Sequence, residues 1–332
     1  MAAVQPLLKS LPKLPAPYLW PTLFKGSRAR GHARVSVMTE ELAESAAKVM
    51  DISNHPNRSI IEIYPGPGQL TRSMALAGAK KVVTLDNGEM FQKSLKALEE
   101  NSKGRIQHFA LNPLGEPYDD LLASELNALP GLTPQPWDTI QSDIMLVGSI
   151  PNSALGEKAF IDLLKASMER MGIFRMGRVG MYMFCSKEAV KRFTSPAGTT
   201  ARNRLTLLAE AAAEVSSIMV PGASHFHLPY EYELLRIVPH EKPKLETSLD
   251  IMEFCLKSLF TSKSMPLSKV IKLLGPGAEI LLGRLSFDHN IKVKYMTLEQ
   301  VNEVASKFDQ WPLRPTNLVD DLILHEKKDK RH

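Results

Sequence analysis

The stretch IIEIYPGPGQLT, residues 60–71, constrains this chain more than any other. A short apolar run carries one acid, Glu62, ends in a turn built on Gly66 and Gly68, and leads into a segment of helical spacing. An apolar run of that length, closed by a Pro-Gly pair, reads as a strand buried on both faces. Glycine suits the turn because a tight strand-to-helix bend often needs positive φ, and because a side chain would hold a ligand off the backbone. Asp86 closes the next apolar run, twenty residues after Gly66. At that spacing a carboxylate stands beside the ribose of a bound nucleoside and can accept from both hydroxyls. The pattern is G-x-G without the third glycine of the dinucleotide fingerprint, so an adenosyl ligand without phosphates fits better than a pyrophosphate.

From about residue 35 the chain alternates between strand and helix patterns. Helices are expected over 40–50, 70–77, 90–102, 157–171 and 202–215, with a short one near 121–126. Strands are expected over 59–64, 81–85, 105–109, 178–185, 217–220 and 232–238, and one more lies within 139–147. The last two are joined by a loop rather than a helix, which suggests an antiparallel edge hairpin. Such alternation implies a parallel sheet covered by helices on both faces. After Pro239 the pattern turns helical, over 249–260, 268–274 and 298–308, with Thr297 and Gln300 spaced as a capping box. The expected division is therefore 1–34, a domain at 35–239, a helical domain at 240–320 and a basic tail at 321–332.

Residues 1–34 carry Lys9, Lys13, Lys25, Arg28, Arg30 and Arg34, and no acid precedes Glu40. Interspersed leucines, Trp20 and Phe24 complete the profile of a mitochondrial presequence, and with it a matrix location. Pro6, Pro12, Pro15, Pro17 and Pro21 interrupt any amphipathic helix, and a disordered basic arm is the alternative. The whole chain has 41 Lys and Arg against 36 Asp and Glu, a balance that permits a nucleic-acid partner without demanding one. Cys185 and Cys255 are too few for a disulfide framework or a zinc cluster, and their apolar surroundings suggest buried, inert thiols. His225 and His227 lack a third convergent ligand, so no metal site is expected. No apolar run reaches the length of a membrane span, and no membrane partner is expected.

The pattern E-I-x-P-G-P-G-x-L-T, with an acid ending the next strand, resembles the S-adenosylmethionine site of the rRNA adenine dimethyltransferase family, which includes the branch of mitochondrial transcription factor B. The resemblance spans roughly residues 36–320 and includes GSIPN at 148–152, GEKAF at 156–160 and FRMGRVGMYMF at 174–184. The last of these is most similar to the transcription factor B branch. The resemblance implies an α/β fold, the Rossmann-like fold of S-adenosylmethionine-dependent methyltransferases, with a small C-terminal helical domain. It places Glu62, Tyr64, Gly66, Gly68 and Asp86 at the cofactor. The third strand of active members usually ends in an Asp that contacts the cofactor's adenine. Here Ala110 or Asn112 stands at that place, and the Asn112 side-chain carbonyl can accept from the adenine amino group.

The departures bear on activity. Active members end the fourth strand in an N-L-P-Y type sequence, whose Asn and backbone carbonyls accept from the target adenine's amino group while the ring stacks on the flipped base. The matching positions here are Ser149, Ile150, Pro151 and Asn152, which lack both the acceptor reach and the ring. A Q-x-F-L type segment before the first helix is replaced by RVSVMT at 34–39. Lys187, Lys191, Arg192, Arg202 and Arg204 surround a loop that borders the nucleic-acid cleft in this family, where cations would bind phosphates without reading sequence; two solvated helix faces are the plain alternative. The resemblance with these losses implies a mitochondrial transcription initiation factor that binds the mitochondrial RNA polymerase and melted promoter DNA, with S-adenosylmethionine binding retained or vestigial. The alternatives are an rRNA adenine dimethyltransferase of the mitochondrial small subunit, and a ribosome-assembly factor that binds rRNA without chemistry.

Overall fold

All five residues of β1 (Ser59–Ile63) are buried, as a strand must be when it has neighbours on both edges and helices on both faces. A computed structural model describes residues 11–24, 36–113, 118–122, 128–227, 230–315 and 318. In it, β1 pairs in parallel with β2 (Lys81–Leu85) on one side and β4 (Ile144–Ser149) on the other. With β3 (Ile106–Phe109), β5 (Met181–Ser186), β6 (Ala213–Met219) and β7 (Tyr232–Pro239) they form one seven-stranded sheet of order β3-β2-β1-β4-β5-β7-β6. Strand β7 runs antiparallel to both β5 and β6, which is the expected edge hairpin.

Helices connect the parallel strands: α1 (Glu40–Val49) before β1, α2 (Gln69–Leu76) after it, α3 (Glu89–Glu100) after β2, α4 (Tyr118–Leu122) after β3 and α5 (Ala154–Glu169) after β4. Thr39 caps α1 by accepting from the Leu42 N–H. The apolar stripes of α1 (Leu42, Ala43, Ala46) and α2 (Leu70, Met74) pack with Ile60, Val82 and Val147 of the sheet. Helix α6 (Lys187–Thr194) follows β5, and α7 (Arg204–Ala212) precedes β6. The expected helix over 202–215 therefore ends early. The alanines of this stretch favour a helix, but from Ala213 onward the backbone pairs with β7 instead, and that pairing overrides local propensity.

The chain divides into two compact units, residues 1–191 with 212–243, and residues 192–211 with 244–332. The boundary expected at residue 239 thus misses one segment. Leu207 and Ala211 of α7 bury in the second unit's core, together with Met252, Cys255 and Leu256 of α8 (Leu249–Phe260) and Val301, Val304 and Phe308 of α9 (Leu298–Asp309). Between α8 and α9 lie one helical turn at Leu267–Val270 and 3₁₀ turns at Ile271–Leu274, Ala278–Arg284 and Val293–Tyr295. The capping box forms as the sequence suggests: Gln300 N–H donates to Thr297 Oγ1 at 3.3 Å, and Thr297 N–H donates to Gln300 Oε1 at 3.0 Å.

The N-terminal segment departs from expectation. Residues 11–24 are an ordered part of the first unit rather than a disordered arm. Leu11 joins the core around Val37 and Phe226. Trp20 and Phe24 pack with Phe91 and Leu95 of α3. The prolines that spoil an amphipathic helix are what shape this path. They start two consecutive short turns, a 3₁₀ turn at Pro17–Leu19 and a helical turn at Trp20–Leu23, each with a proline in its first positions. The turn presents Trp20 and Phe24 on one side, and Trp20 Nε1 donates to the Pro15 carbonyl at 2.8 Å. A presequence ending at residue 34 would take these core side chains with it. Residues 1–10, 25–35 and 321–332, with most of the basic residues of both ends, lie outside the described residues.

Trp20 is fully buried, so Trp20→Ala should cost about 3–5 kcal/mol of stability by leaving a large cavity. Urea denaturation of the two proteins checks this; an unchanged midpoint would mean that the segment does not pack in solution.

Candidate functional site

The turn after β1 holds three residues in left-handed conformation: Tyr64 at φ +53°, Gly66 at +59° and Gly68 at +97°. The two glycines meet the positive-φ requirement read from the sequence. Their neighbours add a second reason. A Cβ on Gly66 would sit 2.3 Å from Ser36 Oγ, and one on Gly68 would sit 2.5 Å from Leu98 Cδ1. The space beside each glycine is thus taken by the segment before α1 and by α3. Ser36 Oγ is buried against this turn with no hydrogen-bond partner. Tyr64, at the cost of about 1–2 kcal/mol for a left-handed non-glycine residue, donates from its hydroxyl to Asn112 Oδ1 at 3.4 Å. Its side chain therefore links the ends of β1 and β3, which flank β2 in the sheet.

Glu62 and Asp86 lie beneath the turn and are both fully buried. Thr71 of α2 donates its hydroxyl to Glu62 Oε2 at 2.5 Å. Burial pushes the Glu62 carboxyl up to about 8; the Thr71 hydrogen bond opposes the shift, and the negative charge of Asp86 adds to it. Near neutral pH Glu62 is therefore mainly protonated, which avoids two adjacent buried carboxylates. Asp86 accepts from the Gly88 N–H at 2.8 Å through Oδ1, and its backbone carbonyl accepts from Gln92 Nε2 at 2.9 Å. The structure thus gathers Glu62, Gly66, Gly68 and Asp86 at the ends of β1 and β2, with Tyr64 reaching Asn112 beside them. A separate cavity of about 340 Å3 lies between α4 and α5, lined by Ile63, Tyr118, Ala159, Leu163 and Phe174 but by neither glycine nor Asp86.

At the end of β4, Ser149 and Ile150 are buried and Asn152 is exposed. Ser153 caps α5 by accepting from the Gly156 N–H. Gly156 lets the helix close against the strand end, because a Cβ there would sit 1.9 Å from the Pro151 carbonyl oxygen. Ser186, at the end of β5, donates its hydroxyl to Asn152 Oδ1 at 3.0 Å. Ser36 and Ser186 are site residues that the sequence did not single out; both act across chain separations that carry no local pattern.

The basic cluster does not hold together as expected. Arg202 is buried and makes two hydrogen bonds to Glu210, at 2.7 and 3.2 Å, plus one each to the carbonyls of Ser195 and Met296. It organises the core of the second unit and has no face for a phosphate. Lys187 pairs with Glu231 at 2.9 Å on the surface of the first unit. Lys191 and Arg204 are exposed, and Arg192 is half-buried. His225 Nδ1 shares a hydrogen with Thr39 Oγ1 at 2.7 Å, and the His227 ring packs near those of Trp20 and Phe24. Cys185 and Cys255 are both buried free thiols, and burial raises both well above the usual thiol range. Among the described residues no helix is long and apolar enough to cross a membrane.

The strand order, the glycine turn after β1 and the carboxylate closing β2 define a Rossmann-like fold of the methyltransferase type. The chain belongs to the ribosomal RNA adenine dimethylase family, whose model matches residues 37–310. S-adenosylmethionine is the cofactor of that family. The chain is 26% identical over 299 residues to dimethyladenosine transferase 1, mitochondrial, of Vermamoeba vermiformis, covering 78% of this chain and 84% of that protein. To the protein of the same name in Xenopus tropicalis it is 27% identical over 215 residues, covering 64% of this chain and 60% of that one. In fold it is similar to a dimethyladenosine transferase from Plasmodium falciparum, with TM-score 0.58 at 14% identity over 80% of this chain and 97% of that one. It is also similar to the 23S rRNA methyltransferase ErmE, with TM-score 0.52 at 19% identity over 80% and 98%.

The charges at Glu62, Arg202 and Arg204 each lead to a testable outcome. Because the Glu62 pKa is raised on folding, its contribution is full below the unfolded value of 4.5 and is lost as pH rises through about 8. Between those values stability should fall by about 1.4 kcal/mol per pH unit. Glu62→Gln should flatten this slope in pH-dependent urea titrations, and an unchanged slope would refute the assignment. Arg202→Ala should destabilise by about 2–4 kcal/mol, less than a fully enclosed pair because Glu210 is partly exposed. Arg204→Ala should leave stability unchanged and lower the salt slope of nucleic-acid binding by about 1. Thermal melts and salt-dependent binding distinguish the two.

Proposed function

We propose that this chain is a mitochondrial transcription initiation factor. It acts in the matrix with the mitochondrial RNA polymerase and holds melted promoter DNA on a scaffold inherited from rRNA methylation. The observation that carries the reading is the end of β4. An adenine presented for methylation needs acceptors for its amino group and a ring to stack on. Ser149 is buried, with only a hydroxyl oxygen on a short side chain, and Asn152 brings no ring. Positioning of the base is lost with these groups, since stacking alone is worth about 1–3 kcal/mol per base. In the first unit the exposed Lys191, and in the second the exposed Arg204, each suit contact with a phosphate.

The β1 turn fits S-adenosylmethionine by the chemistry of its donors. Asp86 would accept from the ribose hydroxyls, Asn112 would meet the adenine amino group, and the buried Ser36 hydroxyl, which has no protein partner, would be satisfied at the aminocarboxylate end. When bound, this cofactor supplies an electrophilic methyl group. Retention of this turn favours the second reading, an rRNA adenine dimethyltransferase of the mitochondrial small subunit, the activity for which the relatives are named.

Initiation by purified mitochondrial RNA polymerase on its own promoter should rise several-fold when the chain is added. Equal initiation with and without it would rule this reading out. On the second reading, deleting the chain would remove dimethyladenosine from small-subunit rRNA, which mass spectrometry of digested rRNA detects.

A further inference from the structure

We propose that His108 is a positioning residue for the cofactor, which acts through Gln92 to hold the turn from Asp86 to Gly88 so that the Asp86 carboxylate meets the ribose. The inference rests on the reading that S-adenosylmethionine occupies the β1 turn, and it names two residues that hold that same site in place.

Asp86 follows β2, and its N–H donates to the Phe109 carbonyl at the end of β3 at 3.3 Å. Two residues on, Gly88 is the N-terminal cap of α3. The turn between them is closed by the bond from the Gly88 N–H to Asp86 Oδ1 at 2.8 Å. Gln92, one turn into α3, clasps both of its ends. Its Nε2 donates to the Asp86 carbonyl at 2.9 Å and reaches the Gly88 carbonyl at 3.4 Å. The carboxylate that would accept from the ribose is therefore aimed by a backbone that one carboxamide holds. That carboxamide is held in turn by His108 of β3, whose Nε2 lies 2.8 Å from Gln92 Oε1. On the other side of the ring, His108 Nδ1 lies 2.9 Å from Thr84 Oγ1 of β2.

Hydrogen-bond accounting gives this chain of groups one direction. The Gln92 amide nitrogen faces two carbonyls, so it donates, and its oxygen faces His108. The reversed amide would set Oε1 against the Asp86 carbonyl, acceptor against acceptor. His108 Nε2 must then carry the hydrogen. Burial lowers the His108 pKa; the Thr84 backbone opposes the shift and Lys96 adds to it. The ring is thus neutral near neutral pH, and a neutral imidazole has one donor and one acceptor. Its Nδ1 accepts from Thr84, whose fully buried hydroxyl needs an acceptor of its own. Each hydrogen points the same way: from Thr84 to His108, from His108 to Gln92, and from Gln92 to Asp86. The relay begins in the strand that leads to the ribose carboxylate and ends on the residue that carries it.

Calorimetry with S-adenosylhomocysteine and with its 2′-deoxyribose analogue tests the proposal. His108→Phe keeps a ring and removes both bonds. It should weaken S-adenosylhomocysteine about 2- to 10-fold, the equivalent of one neutral hydrogen bond. The analogue should lose less, because Asp86 has one hydroxyl fewer to hold. His108→Gln can place an amide nitrogen where Nε2 stands and should restore the affinity, whereas His108→Asn reaches only toward Thr84 and should not. Gln92 is half-buried, so Gln92→Leu threatens the fold less; it should reproduce the loss, and His108→Phe should add little in that background. Unchanged affinity in Gln92→Leu, equal losses for the two ligands, additive losses in the double variant, or rescue by Asn rather than Gln would each overturn the positioning role while leaving the cofactor reading in place. Absence of S-adenosylhomocysteine binding to the unaltered chain would overturn both.

Discussion

The bend that takes the chain from β1 into α2 is the constraint on which the rest of the first unit depends. Three left-handed residues within five positions force the chain to turn sharply over the ends of β1 and β2. That turn is crowded from outside by Ser36 and Leu98, and beneath it lie the buried carboxyls Glu62 and Asp86. A side chain on either glycine would displace the segment before α1 or push α3 away, and both carry core residues. The turn is therefore kept by packing as well as by any ligand. A scaffold of this kind can persist after its chemistry has gone, because losing the glycines would cost the fold.

At the end of β4 the crowding is against backbone: a Cβ on Gly148 would sit 2.3 Å from the Ile63 carbonyl oxygen, and one on Gly156 would sit 1.9 Å from that of Pro151. Asn152 lies between these two glycines and is exposed, so substitution at that position costs the protein little stability. The hydrogen bond from Ser186 holds the Asn152 carboxamide to the end of the neighbouring strand through its carbonyl oxygen. Electrostatics at the two ends therefore differ in kind. Beneath the turn, a raised carboxyl pKa keeps one of two neighbouring acids neutral near physiological pH. At the end of β4 the side chains of Ser149 and Asn152 carry no charge.

Much of the first unit was legible in the sequence because buried parallel strands read as unbroken apolar runs, and because positive φ leaves glycine as its signature. Thr297 and Gln300 were legible for the same local reason, since a capping box spans only three residues. What escaped was non-local. Ser36 meets Gly66 across thirty positions, and Ser186 meets Asn152 across thirty-four. Arg202 reads as a surface cation until Glu210 and two carbonyls enclose it. The alanines before β6 read as helix because propensity is local and strand pairing is not. The prolines at 12–21 argued correctly against an amphipathic helix but gave no sign that Trp20 and Phe24 would be buried.

The central claim is that a methyltransferase scaffold has kept its cofactor turn and lost the means to present a target adenine. Transfer of tritiated methyl groups from S-adenosylmethionine to unmethylated mitochondrial small-subunit rRNA tests it most directly. Label in the rRNA should stay at the level of a heat-inactivated control, even with saturating cofactor. Incorporation approaching two methyl groups on an adenine of each rRNA would contradict the account.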